Sequence, residues 1–339
     1  MSEETNNNQE DSSMFADVET TLDKRKIPVK AQLTVIAVLL LLILGGGFLP
    51  GFFTEDSENE VATTEIQDLP SANDISSDPF TDLELLAESA FVWDVSKNET
   101  LYEKEPDKSW PLASITKLMT VMLSHELVEE DKLAVVSENA TEQAGESGLS
   151  AGERFKFRTL SDLTILSSSN DGAYALAAST GELLDPDEPA DAFVRTMNIR
   201  ADELNLSQTF FRNPTGLDLS EDEAGAYGSA RDVTFLMSYI LKNYPEILEA
   251  STKPQDNLPD ESGLYHQADN TNPIVNDLPG LIGSKTGYTT LAGGNLVVAF
   301  DASLNRPVVV SVLGSSYQGR FSDVLKLVEA TRAKILMEE

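Results

Sequence analysis

The sequence predicts an α+β domain (α/β in the broad sense): an antiparallel sheet built from both ends of the domain and packed with helices, beside a mainly helical lobe. Three observations carry this. A hairpin pattern stands at the front, apolar-periodic segments fill the middle, and strand-like runs return near the end before a last helix.

The hairpin is ESAFVWDV, 88–95, which alternates apolar and polar, followed after SKN by ETLYEKE. Ser109-Trp110-Pro111 ends that strand region. From Ser114 the apolar residues Ile115, Leu118, Met119, Met122 and Leu123 recur at helical spacing. Helices are then expected at TLSDLTILSSS, DGAYALAAST, ADAFVRTMNIRADEL and ARDVTFLMSYILKNY. LIGSKTG, GGNLVVAFDA and RPVVVSVLG read as strands, and RFSDVLKLVEATRAKIL as the closing helix. The stretches 182–191 and 250–266 look irregular.

Ahead of this domain, residues 1–30 form a polar tail. Ala31 to Phe53 carries no charge across 23 residues, long enough to cross a bilayer as a helix. Polar flanks argue against a buried core helix. The long polar lead, without a clear small-x-small cleavage site, argues against a removed signal peptide. Lys24, Arg25, Lys26 and Lys30 precede the span and TEDSENE follows it, so the amino terminus is expected inside and the remainder exported. Residues 54–83 are acidic and polar and read as a tether, leaving 84–339 as the exported domain. These features predict a single-pass protein of a bacterial cytoplasmic membrane with its domain on the outer face, in periplasm or cell wall.

The chain has 339 residues and no cysteine, which excludes disulfides, a thiol nucleophile and thiolate metal sites. Its two histidines, His125 and His266, lie far apart, and HELVE lacks the second histidine of a zinc-binding helix. Each reads as an ordinary packed or surface residue. No metal and no cofactor are expected, and a Ser-His-Asp hydrolase is a poor starting point. Fifty-seven acidic against 24 basic residues give a net charge of −33, which repels phosphate backbones and disfavours nucleic acid.

Three short patterns carry candidate chemistry. Ser114 and Lys117 in PLASITKLMT lie three apart, on one helical face. A serine hydroxyl needs a base, and lysine serves only if burial or a nearby cation lowers its pKa. Free amides at the helix start suit an oxyanion. In ILSSSNDGAYALA, Ser168 and Asn170 sit at a junction between two apolar helices, where a loop can reach a cleft; a helix cap is the alternative role for Ser168. In LIGSKTGYTTLAGGN, Lys285 and Thr286 offer a charge and a hydroxyl to a carboxylate. Gly287 lets another backbone approach the strand, and a substrate could add along that edge.

Ser-x-x-Lys, Ser-x-Asn and Lys-Thr-Gly in this order resemble the penicillin-recognising acyl-transfer enzymes. SITKLMT, SSNDGAYALA, NPTGLD, GSARDV, ADNTNPIV and GSKTGYT are similar to stretches of the low-molecular-mass D-alanyl-D-alanine carboxypeptidases, the S11 serine peptidases, from about Ala87 to Leu336. The resemblance implies the DD-peptidase/β-lactamase-like fold and a substrate in peptidoglycan stem peptides ending in D-Ala-D-Ala. Ser114 would attack the penultimate D-alanine carbonyl, with Lys117 as base. Ser168 would relay a proton to the leaving amine and Asn170 would orient Lys117 and substrate. Lys285 and Thr286 would hold the terminal carboxylate, and the amides of Ser114 and Tyr288 would form the oxyanion hole. Arg320 would add a second charge for the carboxylate. β-Lactams would be covalent inhibitors.

Many relatives carry a second β-rich domain and a carboxy-terminal anchor; here the amino-terminal span would anchor. A DD-endopeptidase would use the same site. A β-lactamase is disfavoured because Ser169 stands where class A enzymes have aspartate, and Glu-x-x-x-Asn occurs only ahead of Ser114, as at Glu55 to Asn59 in the tether. An inactive wall-binding protein would not need every polar residue of the set.

Overall fold

The computed structural model describes residues 78–145 and 148–338. The predicted tail, the apolar span 31–53 and the tether through residue 77 lie outside the described residues. Among the described residues, no helix is long and apolar enough to cross a membrane.

The packed region starts earlier than the expected boundary at residue 84. Phe80 is 8 % exposed and stacks on Tyr102, with ring centroids 5.3 Å apart. Asp78 pairs with Lys334 at 2.9 Å. One aromatic ring is enough to dock the end of an otherwise polar segment, which acidic composition alone conceals.

Along the chain the strands are β1 (Ser89–Asp94), β2 (Glu99–Lys104), β3 (Trp110–Pro111), β4 (Leu133–Val135), β5 (Arg154–Lys156) and β6 (Phe210–Phe211). They continue with β7 (Ala226–Gly228), β8 (Gln255–Pro259), β9 (Tyr265–Asp269), β10 (Leu281–Thr289), β11 (Gly293–Ser303) and β12 (Arg306–Ser315). The helices are α1 (Lys117–Leu127), α2 (Glu138–Thr141), α3 (Phe157–Leu166), α4 (Asn170–Gly181), α5 (Pro189–Glu203), α6 (Ala230–Asn243) and α7 (Gly319–Glu338).

The main sheet has the order β10-β11-β12-β1-β2, every neighbour antiparallel, so both ends of the domain build it as expected. Side chains on β11 alternate between two cores. Leu296, Val298 and Phe300 join Phe321, Val324 and Leu327 of α7 on one face. Val297 and Ala299 meet the helical lobe on the other, with Leu118, Met122, Leu176 and Met237. A sheet covered on both sides explains why β11 and β12 read as continuous apolar runs. Each fully buried Val or Leu contributes roughly 1.5–3 kcal/mol.

Of the two stretches expected to be irregular, one is corrected. The stretch 250–266 is not irregular: it holds a 3-10 turn, Pro245–Thr252, and most of the β8–β9 hairpin. Its strands, QDNLP and YHQAD, bury only Leu258 and Ala268 deeply, too faint an apolar period to show as strands. The stretch 182–188 holds no helix or strand, as expected, and α5 begins at Pro189, with proline in the first helical turn where its missing N–H costs little. Trp110-Pro111 is itself a short strand paired with β7.

Asp94 closes the first hairpin. Its carboxylate accepts from the Ser96 amide and hydroxyl and the Lys97 amide, and pairs with Arg306 Nε at 2.7 Å. Asp94 is fully buried, and Arg306 continues to Glu338 at the end of α7 at 2.8 Å. Asp94→Ala would leave the guanidinium without its buried partner, so we expect a loss of about 3–5 kcal/mol in urea denaturation.

Candidate active site

Ser114 lies on a 3-10 turn, Ala113–Thr116, that runs into α1, rather than on an α-helix from the outset. Ala113 ahead of it has φ of +49°, a left-handed conformation unfavourable for alanine. Surrounding contacts enforce it. Asn295 of β11, fully buried, donates to the carbonyls of Pro111 and Leu112 at 2.9 and 3.1 Å, and accepts from the Gly314 amide. Thr116 Oγ1 donates to the Ala113 carbonyl at 2.7 Å. Gly216 fits tightly: a Cβ there would fall 1.9 Å from the Ala113 oxygen.

Lys117 opens α1, fully buried. Its Nζ lies 2.9 Å from Ser114 Oγ, 2.7 Å from Asn170 Oδ1 and 2.8 Å from the Thr215 carbonyl. Burial pushes its pKa well below the ordinary lysine value, and the nearby Lys285 charge adds to the effect. A neutral amine has two donors and one lone pair. Asn170 and Thr215 can take the donors, which leaves the lone pair for the Ser114 hydroxyl.

Ser168 joins α3 to α4 with φ of +61°, and Ser169 takes the capping role, accepting from the Gly172 amide at 2.9 Å. This frees the Ser168 hydroxyl to meet Lys285 Nζ at 2.9 Å. Its hydrogen bond therefore goes to Lys285 rather than to Lys117. Asn170, at the start of α4, also donates to the Ala144 carbonyl at 2.6 Å.

β10 is the edge strand of the sheet and carries Lys285, Thr286, Gly287 and Tyr288. Lys285 is 1 % exposed; burial, then the charge of Arg320, brings its pKa down to about 7. Thr286 Oγ1 lies 2.6 Å from Thr271 Oγ1. A Cβ on Gly287 would sit 2.8 Å from the Leu112 carbonyl and 3.3 Å from the Ala113 Cβ, so the serine turn rests directly against this strand. Arg320, buried in α7, donates to the Gly287 carbonyl at 2.7 Å and lies 4.6 Å from the ring centroids of Tyr317 and Phe321. Tyr288 itself is half exposed. An open cavity of about 390 Å³ borders the cleft, lined by Ser168, Asn170, Gln267 and Asp269.

The fold thus brings Ser114, Lys117, Asn170, Ser168, Lys285 and Thr286 together in two linked clusters, with Arg320 behind the strand. Sequence reasoning gave no role to Asn295, Thr215 or Thr271. The first ends the stretch read around Lys285, and the others lie in NPTGLD and ADNTNPIV. Asn295 and Thr215 act through a buried amide and a backbone carbonyl, and Thr271 supports Thr286 from outside the three motifs.

The model of the D-alanyl-D-alanine carboxypeptidase family, peptidase S11, matches residues 74–316. D-alanyl-D-alanine carboxypeptidase DacF of Bacillus subtilis is 30 % identical over 72 % of this chain and 61 % of its own length. A D-alanyl-D-alanine endopeptidase of Pseudomonas aeruginosa is 32 % identical over 75 % of this chain and 78 % of its own. Penicillin-binding protein D2 of Listeria monocytogenes, solved in an ampicillin-bound form, is 29 % identical with a TM-score of 0.60, covering 74 % of this chain and 99 % of that one.

Proposed function

Because the chain belongs to the S11 family of D-alanyl-D-alanine carboxypeptidases, we propose that it is a serine-type carboxypeptidase that removes the terminal D-alanine of peptidoglycan stem peptides. The observation that carries this reading is the buried Lys117 amine, depressed in pKa and 2.9 Å from Ser114 Oγ.

In this reading neutral Lys117 takes the Ser114 proton as Oγ attacks the penultimate D-alanine carbonyl. The amides of Ser114 and Tyr288 receive the oxyanion, each contributing about 3 kcal/mol. Ser168, held by Lys285, passes a proton to the leaving amine, and D-alanine departs. Water then hydrolyses the acyl-enzyme. Lys285 and Thr286 receive the substrate carboxylate. Arg320 acts less directly than the sequence implies: its guanidinium holds the Gly287 carbonyl and biases the Lys285 charge. The span 31–53 anchors the protein in the cytoplasmic membrane with the domain outside, a reading supported by its uncharged length and basic leading flank.

A DD-endopeptidase is the second reading, favoured by the Pseudomonas relative. Incubating the full-length chain with a disaccharide pentapeptide and with a D-Ala-cross-linked dimer, followed by mass spectrometry, separates them. Release of D-alanine from the pentapeptide is expected. Cleavage of the dimer alone would shift the assignment to endopeptidase, and no product from either would contradict both.

Gly287→Ala is expected to lower D-alanine release about a hundredfold, because its methyl group would lift the serine turn from the strand. A steady-state assay checks this, with a thermal melt as the folding control.

A further inference from the structure

Away from the cleft, the tip of the β8–β9 hairpin meets the loop before β5 through three residues the proposed reaction does not use. His266 on β9 packs its ring against Phe155, with centroids 5.1 Å apart, and its side chain is only 9 % exposed. Its Nε2 is buried and finds no hydrogen-bond partner among the described residues. That atom faces Glu153 Oε2 at 3.7 Å, longer than a hydrogen bond. Asp260, from the hairpin turn, completes the group, and the three potential ligand atoms all lie within 4.8 Å of one another.

Both carboxylates are oriented from outside the cluster. The Ser150 amide donates to Glu153 Oε2 at 3.0 Å; the Leu264 amide and the Ser262 hydroxyl donate to Asp260 Oδ1 at 2.8 and 2.7 Å. Ligands around a tetrahedral ion bonded at about 2.1 Å sit roughly 3.4 Å apart, near the observed His266–Glu153 separation. A second group, His125 with Glu130 and Glu246, differs: its two ring nitrogens face different carboxylates at 3.3 and 3.0 Å, the arrangement of an ion pair rather than a chelate.

We propose that Glu153, Asp260 and His266 form a binding site for a first-row divalent cation, zinc above all, that ties the β8–β9 hairpin to the loop before β5. An imidazole nitrogen with two carboxylate oxygens suits zinc and disfavours calcium or magnesium, which prefer oxygen alone. The consequence reaches the cleft, because β9 leads directly through Asp269 to Thr271, whose hydroxyl bonds Thr286.

Titration calorimetry and thermal melting of the full-length chain with zinc chloride test the site. One equivalent bound, with a raised melting temperature, is expected. His266→Ala should weaken binding at least about tenfold. Asp260→Asn should do the same while keeping the turn, and decides the matter if His266→Ala fails to fold. Zinc binding unchanged in Asp260→Asn, or no stoichiometric binding by the parent chain, would overturn the proposal.

Discussion

Lys117→Ala is expected to slow acylation of the full-length chain by benzylpenicillin about a thousandfold, the usual contribution of a positioned general base. Lys117→Arg should be equally impaired, because a guanidinium cannot give up its proton at any working pH. Buried charge-neutral lysine also fixes the pH behaviour. Acylation requires the unprotonated amine, so the rate rises with pH through the pKa of Lys117. Burial places that pKa well below the ordinary value, with Lys285 adding to the shift. The rising limb should therefore end far short of about 10.4, the ordinary lysine value. A limb centred near that value in stopped-flow measurements would mean that Lys117 is not the base.

Lys285→Met carries the second large effect, with opposite signs for activity and stability. Lys285 has a pKa of about 7 in the folded protein against the ordinary 10.5. Between those values the unfolded chain holds a proton that the folded one lacks, so stability rises with pH across that window. Well below pH 7 the penalty is fully present, on the order of 5 kcal/mol at 1.36 kcal/mol per unit, and at pH 7 it still stands at about 4 kcal/mol. Methionine removes this penalty but gives up the contacts to Ser168 and the Thr286 carbonyl, each about 1 kcal/mol. The net expectation is a gain of about 2 kcal/mol at pH 7 that vanishes near about pH 9 and turns into a loss of about 1–2 kcal/mol above pH 10, with carboxypeptidase activity lost. Urea denaturation at the two pH values measures it; a destabilised variant at pH 7 would show that Lys285 is held charged at little cost.

These expectations rest on residues that the sequence exposed unequally. Ser114, Lys117, Ser168, Asn170 and Lys285 were legible because their short spacings recur in one order. Long apolar strands and amphipathic helices placed the sheet and lobe correctly, since β11 is a long continuous apolar run and α6 a strongly periodic helix. Partner choice was not legible. Nothing near Ser168 says that its hydroxyl meets Lys285, 117 residues away, rather than Lys117. Asn295 reads as a polar residue at a strand start, yet it is fully buried and anchors the turn ahead of Ser114. The β8–β9 hairpin escaped notice because it is mostly solvent-facing, and with it went the meeting of His266, Glu153 and Asp260.

Intact-mass spectrometry of the full-length chain during exposure to benzylpenicillin, beside Ser114→Ala, tests the assignment of Ser114 as nucleophile most directly. One persistent penicilloyl adduct on the parent chain and none on Ser114→Ala is the predicted result. An adduct that survives in Ser114→Ala, or a parent chain that neither acquires one nor consumes the drug, would contradict it.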